Sequence, residues 1–499
     1  MIRRSESAML SGPASGAVLA LAGLLLCISN GRTPISLAPW WALMFLLRFV
    51  RGRGPIVGLG AGLAVSVLAS LIVWRGMIPV PPGPYFWIAS GLGVIFFVPF
   101  VVDRVLAPRI GGFASTLVLP LAFAATDLFN ALLSPYGSWG SLAYTQYDNL
   151  PLIQIVSVTG TAGVVFLIAW FAAVVNWAWE HHFSWKRVGF EVSIVAAVFS
   201  LVVLSGGVRL AARPRNAVTV RVAGLTVRAG DARRSMGLLL NPDPTPADLK
   251  AVHSATTALL DTLFQRSERE VRAGARIVAW SEANGLVMKQ EEPALLARAK
   301  EFAVRTGSYV FLALAAAAPG SPRYENQLIA IDPAGQTGFR YHKARPVPGD
   351  LEMGADRSVP KPIPGPAGGR IAGAICFDMD FPQLIRRAGR AGADILIAPS
   401  SDWLEIDPMH SRMAIFRGIE NGFAVVRPTD KGLSVAADCQ GRVLAAADYF
   451  ASADHRIVAQ VPTLGVRTFY AAAGDLFAWL CVLALAGLVA LAQGMRRPL

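Results

Sequence analysis

Apolar runs long enough to cross a bilayer, about 17–25 residues each, dominate this chain. They fall near 10–29, 34–50, 56–75, 86–103, 112–134, 152–178 and 190–210, and an eighth lies near 471–493. Lipid offers no hydrogen-bond partner to a peptide group, so such runs fold as helices that satisfy their own backbone. Composition agrees. Of the 499 residues, 54% are hydrophobic and 16% charged, against about 45–50% and 25% in soluble chains. The first run has no clear small-x-small cleavage site, and Leu26 precedes Cys27 where lipid attachment needs a small residue. It is therefore expected to stay as a membrane helix.

The net charge of +13 raises the question of nucleic acid. The arginines, however, cluster at the flanks of apolar runs, where basic residues fix orientation instead. With Arg3 and Arg4 cytoplasmic, the inside connections carry Arg51 and Arg53, then Arg104 and Arg109, then Lys186 and Arg187, and Arg496 and Arg497 close the tail. The opposite loops hold little beyond Arg32 and Arg75, with no lysine or arginine between 136 and 151. Arg209, Arg213 and Arg215 go against the pattern. The balance places the long polar stretch after the seventh run outside the cytoplasm. Asp127 and Asn130 lie within the fifth run, where polar groups are expensive; they are expected to face the bundle interior and hydrogen-bond there.

The stretch 217–468 alternates strand and helix patterns. Strands are expected at 217–225, 276–280, 308–316, 326–332, 370–376, 393–399, 423–427 and 432–446, and helices at 246–273, 292–305, 381–391 and 408–421. Such alternation indicates a layered α/β domain.

Three residues sit at or just beyond strand ends, where a rigid sheet presents reactive groups. Glu282 stands in "WSEANG", Lys343 in "YHKARPVPGD", and Cys376 ends "GRIAGAIC". Singly, each has an ordinary structural reading as core or surface. Together they supply a thiol nucleophile, a carboxylate to take its proton, and a cation to favour the thiolate and an oxyanion.

These settings resemble the nitrilase superfamily, whose α-β-β-α domains use a Glu-Lys-Cys triad. "ICFDMDFPQLIRRAGRAGADILIAPSSDW" resembles its nucleophile segment, and "HSRMAIFRGIENGFAVVRPTDKGLSVAADCQGRVLA" the helix–strand run that follows. A domain of this kind between a helical bundle and a final helix is similar to the apolipoprotein N-acyltransferase family. "YGSWGSLAYTQYDNLPLIQIVSVTGTAGVVFLIAW" at 136–170 resembles that family's outer loop and next helix.

The resemblance implies a membrane bundle of about eight helices plus an α-β-β-α sandwich. The division would be 1–212 bundle, 213–468 extracytoplasmic catalytic domain, and 469–499 final helix with a basic tail. It also implies an acyl chain passing from a phospholipid through a Cys376 thioester to the α-amine of a diacylglyceryl-cysteine on an apolipoprotein. No cofactor or metal is expected, and a monomer in the bacterial inner membrane with both termini cytoplasmic is. A membrane-tethered amidase using the same triad, and a non-catalytic assembly partner, are the competing readings.

Departures from the family pattern follow Lys343, where the chain reads Ala344-Arg345-Pro346-Val347-Pro348-Gly349-Asp350-Leu351-Glu352. The second glutamate of the family, expected to position substrate or assist the base, maps to Glu352 only with a one-residue slip. Ser400-Ser401-Asp402 stands for Ser-Asn-Asp, and Phe377-Asp378 for Tyr-Glu. Ser400, Asp402 and Trp403 are expected to support substrate, with Phe381 and Leu404 beside Trp403 as a lip for lipid tails. Arg417 and Glu420, three apart on a helix, are expected to pair. His410 has no second histidine or carboxylate following at ligand spacing. Cys439 is expected to be inert, and Cys27 and Cys481 to act as small apolar residues within their runs.

Overall fold

The structure, a computed structural model, describes residues 12–212, 218–353, 355–451 and 453–494. Arg3, Arg4, Arg213, Arg215, Arg496 and Arg497 lie outside the described residues. The chain divides into two compact units: one takes in the chain up to Ala212 and from Ala473 onward, the other everything between.

The first unit is helical. Six of its described helices are long and apolar enough to cross a membrane: Pro55–Val73, Pro82–Ile110, Phe113–Leu133, Thr161–Glu180, Trp185–Ala211 and Leu476–Gly494. The other two of the eight expected, Gly12–Cys27 and Ala38–Gly52, are helical over 16 and 15 described residues, short of that length. The run at 152–178 is not one helix. It breaks into Leu150–Ile153, Val156–Thr159 and Thr161–Glu180 at Gly160, whose φ of 64° and ψ of −170° lie outside the helical region and suit only glycine. Charges at the helix ends are tied down internally. Arg51 makes two 2.8 Å hydrogen bonds to Asp103, and Arg104 donates to the carbonyls of Arg51 and Arg53. Asp127 accepts from the Thr161 hydroxyl at 3.2 Å, and Asn130 donates to the Gly137 and Trp139 carbonyls.

The second unit is built on two sheets. In one, strand neighbours run Arg456–Pro462, Thr219–Leu225, Ile277–Trp280, Tyr309–Ala317, Tyr324–Ile331 and Thr337–His342. In the other they run Val443–Asp448, Leu433–Ala437, Ala424–Arg427, Ile395–Ile397, Arg370–Gly373 and Ile363–Pro364. The central pairs, Thr219–Leu225 with Ile277–Trp280 and Ile395–Ile397 with both its neighbours, are parallel. Parallel strands need cover on both faces, and the near-continuous apolar composition of Tyr309–Ala317 meets that need. Val310, Leu312 and Leu314 pack with Leu263, Phe264, Leu295 and Phe302 of the helices Pro246–Arg272 and Glu292–Thr306. The other face meets the second sheet: Gly373 has no side chain because a Cβ there would lie 2.6 Å from Leu328 and 2.8 Å from Phe339. Helix Met409–Asn421 packs on the second sheet. The layering is α-β-β-α.

Several elements differ from the sequence expectation. The 432–446 strand is a hairpin, Leu433–Ala437 and Val443–Asp448, turned at Gly441 with φ of 81°. The strand Arg456–Pro462 and the short helix Gly230–Met236 were not anticipated. Arg456–Pro462 interleaves charged and polar residues with its valines, and it becomes a strand by pairing antiparallel along the whole of Thr219–Leu225. The strand expected at 370–376 stops at Gly373.

Candidate active site

Glu282 stands two residues past the strand Ile277–Trp280, where the backbone turns through Ala283 at φ of 49°. Lys343 follows the strand Thr337–His342 directly, and its amide bonds the Asn326 carbonyl on the adjacent strand at 3.1 Å. This fixes the lysine stem against the sheet. Its Nζ lies 2.9 Å from Glu282 Oε1 and 2.9 Å from Glu352 Oε1. Burial opposes the charge on Lys343, but the flanking Glu282, Cys376 and Glu352 hold its proton and raise its pKa well above the ordinary value.

The slip needed to place Glu352 is absorbed by the loop after Lys343. The two-residue strand Glu352–Met353 pairs beside Tyr324–Ile331 and carries the carboxylate back to the lysine. Asn326, which sequence reasoning missed, bridges both glutamates with one amide, 2.8 Å to Glu282 and 2.9 Å to Glu352. Burial, with the Glu282 charge adding to it, raises the Glu352 pKa against the pull of Lys343. Its Oε2 is buried and has no hydrogen-bond partner among the described residues.

Cys376 opens the short 3-10 helix Cys376–Asp380 rather than closing the strand. Hydrogen bonds to the neighbouring strand nevertheless continue, from Ala374 to Ile397 and from Cys376 to the Pro399 carbonyl at 2.9 Å. The cysteine has φ of 44°, a left-handed conformation that costs a non-glycine residue about 1–3 kcal/mol and persists only where its surroundings hold it. Asp378 does the holding. Its carboxylate accepts from the Ile375 amide, the Arg345 amide and the Tyr341 hydroxyl at 2.9, 2.9 and 2.6 Å. One side chain thus ties the nucleophile turn to the lysine loop. Burial pushes the Asp378 carboxyl up to about 7 despite these donors.

The thiol is 4% exposed. Burial and the charge of Glu282 push it up to about 11, while a hydrogen bond with His410 and the charge of Lys343 pull it down. Glu282, Lys343 and Cys376 span 94 positions, yet Lys343 bonds Glu282, and the Glu282 and Cys376 amides donate to the adjacent Ser400 and Pro399 carbonyls.

The other expected residues are placed differently. Ser400 is buried and contributes backbone: its carbonyl accepts from the Glu282 amide at 3.3 Å. Asp402 is an ion-pair hub. It receives Arg427 through two 2.9 Å bonds and His410 Nδ1 at 3.1 Å. Burial works against its charge, but Arg427 and His410 hold it well below the usual carboxylate range. Trp403 begins a turn whose carbonyl accepts from Ile406 and Asp407, Leu404 is exposed, and Phe381 lies under the Arg345 guanidinium at 4.7 Å. Arg417 and Glu420 pair at 2.9 Å in the core. His410, without a ligand partner in sequence, gains two in space: Cys376 Sγ, an Asp402 oxygen and a His410 nitrogen all lie within 4.8 Å of one another. Sequence spacing could not show this, because the three come from different elements.

Removing Arg427 is expected to destabilise the fold by about 3–5 kcal/mol, since a buried, charged Asp402 would lose its two-point partner and keep only His410. Thermal or denaturant unfolding of Arg427→Met measures it. The Asp402 contribution is present above its unfolded value near pH 4 and declines as pH falls below that. The deficit of Arg427→Met should therefore shrink in acid.

An α-β-β-α sandwich in a chain with helices long and apolar enough to cross a membrane is the architecture of a membrane-bound acyltransferase of the carbon-nitrogen hydrolase type. Comparison with known proteins agrees. Residues 244–463 match the carbon-nitrogen hydrolase family, and residues 17–174 match the apolipoprotein N-acyltransferase N-terminal domain. Along nearly its whole length the chain is similar to apolipoprotein N-acyltransferases. It is 26% identical to the apolipoprotein N-acyltransferase of Geobacter metallireducens over 95% of this chain and 94% of that one. It is also 26% identical to that of Gloeobacter violaceus, over 98% and 96%. Among solved structures, an amidase from Nesterenkonia sp. aligns with 53% of this chain and 94% of its own, at 16% identity and a TM-score of 0.38.

Proposed function

We propose that this protein transfers an acyl chain from a phospholipid to the free α-amine of the diacylglyceryl-cysteine of apolipoproteins. The observation that carries the chemistry is the Lys343 ammonium held 2.9 Å from two carboxylates, with its charge felt by the Cys376 thiol. The substrates follow from the likeness of the whole chain to apolipoprotein N-acyltransferases and of its first unit to their N-terminal domain.

In the first step Glu282 takes the Cys376 proton as sulfur attacks the phospholipid ester carbonyl. Lys343 stabilises the oxyanion, and Glu282 returns the proton to the departing lysophospholipid oxygen. A thioester remains on Cys376. In the second step the lipoprotein amine attacks it, Glu282 takes the amine proton, and the thiolate is released and reprotonated. Glu352 assists by holding Lys343 in place and by offering its partner-free Oε2 to substrate. Asp402 and Ser400 support the site from behind, and Trp403 with Leu404 and Phe381 forms the lip for lipid tails. The catalytic domain, 213–468, lies on the periplasmic side of the inner membrane between bundle 1–212 and helix 469–499, with both termini cytoplasmic. The enzyme acts as a monomer.

The test is incubation of the purified chain with acyl-labelled phospholipid, followed by addition of a diacylglyceryl lipopeptide. A hydroxylamine-sensitive labelled protein that hands its label to the lipopeptide amine is the expected result. Ammonia released from small amides, with no acyl-protein, would make the chain a hydrolase instead. Lipoprotein maturation sustained by Cys376→Ser would make it a non-catalytic partner.

A further inference from the structure

His410 occupies the first turn of helix Met409–Asn421 and is 4% exposed. Its two ring nitrogens face two different carboxylates: Nδ1 lies 3.1 Å from Asp402 Oδ1 and Nε2 lies 3.2 Å from Asp380 Oδ2. An ionised carboxylate only accepts hydrogen bonds, whereas a neutral imidazole has one donor. With both carboxylates ionised, satisfying both contacts requires a proton on each nitrogen, which makes the ring a cation. Asp402 stays ionised because Arg427 binds it in two places. Burial favours the neutral ring, yet Asp380 and Asp402 outweigh it and hold the proton. A nitrogen of the same ring lies within 4.8 Å of the Cys376 sulfur, whose thiol hydrogen points to the Ser401 carbonyl at 3.7 Å.

Lys343, the other cation near the sulfur, is already shared between Glu282 and Glu352. Once the sulfur has given its proton to Glu282, the new thiolate and the Glu352 carboxylate share one ammonium. A second cation on the sulfur removes that difficulty.

We propose that His410 is a fixed imidazolium that stabilises the Cys376 thiolate alongside Lys343, and that it is not a base. The inference rests on Cys376 being the nucleophile. As the thiol proton passes to Glu282, His410 keeps both of its own, each held on a carboxylate, and its positive charge acts on the sulfur, which lies within 4.8 Å of a ring nitrogen. When the thioester forms, the sulfur becomes neutral and the imidazolium stays balanced by Asp380 and Asp402. The groups that set the thiol's titration are then Glu282 and Asp402, which oppose ionisation, and Lys343 and His410, which favour it.

The test measures alkylation of Cys376 by iodoacetamide across pH, in the full chain in detergent, with the modified cysteine identified by peptide mass spectrometry. His410→Gln keeps a hydrogen-bonding side chain and removes the charge. It should raise the thiol's apparent pKa by about one unit, slowing alkylation at pH 8 roughly tenfold. Acyl-enzyme formation should fall in proportion, with KM for phospholipid unchanged. Asp380→Asn leaves the ring in place but removes an anion that holds its proton, and should shift the titration the same way. An unchanged thiol titration in either folded variant overturns the proposal. So does a lost transfer rate with the titration intact, which would indicate a base. Failure of both variants to fold would make His410 a core residue and also count against it. Alkylation needs no acyl donor, so a wild-type chain that forms no acyl-enzyme from phospholipid refutes the proposed function and leaves this inference to its own result.

Discussion

Cys376→Ala is expected to abolish acyl-enzyme formation and to lower transfer by a factor on the order of 10⁴ or more, as removal of a nucleophile does elsewhere. No other described cysteine has this setting. Cys27 and Cys481 belong to helices of the bundle, and Cys439 lies between the strands Leu433–Ala437 and Val443–Asp448. The fold should survive, because alanine fills most of the space of a small thiol; relief of the packing around φ of 44° should leave stability within about 1 kcal/mol. Hydroxylamine-sensitive label from acyl-labelled phospholipid, read beside a melting curve, checks both halves. Label retained at wild-type level in a folded Cys376→Ala protein would place the nucleophile elsewhere.

Glu282→Gln gives the second large effect, and a test of sign. Burial and the Glu282 charge together push the Cys376 thiol up to about 11. At neutral pH the resting enzyme therefore carries a thiol, and attack needs a base at that moment. Removing the base should lower acyl transfer about 10²- to 10⁴-fold. Removing the same negative charge should also lower the thiol's pKa and make iodoacetamide alkylation at pH 8 faster. Activity and thiol reactivity move in opposite directions. A residue that only tuned electrostatics would move them together, so parallel changes would take the base role from Glu282. His410→Gln is expected to slow alkylation, and the two variants thus bracket the wild type.

Much of this was legible in the chain itself. The apolar runs fixed a membrane bundle because length and hydropathy are local properties and lipid tolerates little else. The strand and helix alternation of 217–468 gave most elements of the sandwich, since burial on both faces writes itself as short apolar segments. Where an element depends on its neighbour, the signal was missing. Arg456–Pro462 is a strand because Thr219–Leu225 offers it a full antiparallel partner. Gly160 interrupts an apolar run by a backbone angle that hydropathy does not record.

The site divides in the same way. Glu282, Lys343 and Cys376 stood out because each follows a strand and because together they form a complete set for acyl transfer. Their companions did not. Asn326 reads as an ordinary strand asparagine, and only the antiparallel register places its amide between two carboxylates. Asp378 reads as a departure from the family pattern, and only the approach of Tyr341 and Arg345 makes it the tie that holds the nucleophile turn. His410, Asp380 and Asp402 come from two turns and a helix, and a charge network among them has no sequence period to reveal it. Residue types and strand ends are covalent facts, readable along the chain. Which charges neutralise which is set by distances of about 3 Å between segments far apart in sequence, and the packing of the two sheets with their helices fixes those distances.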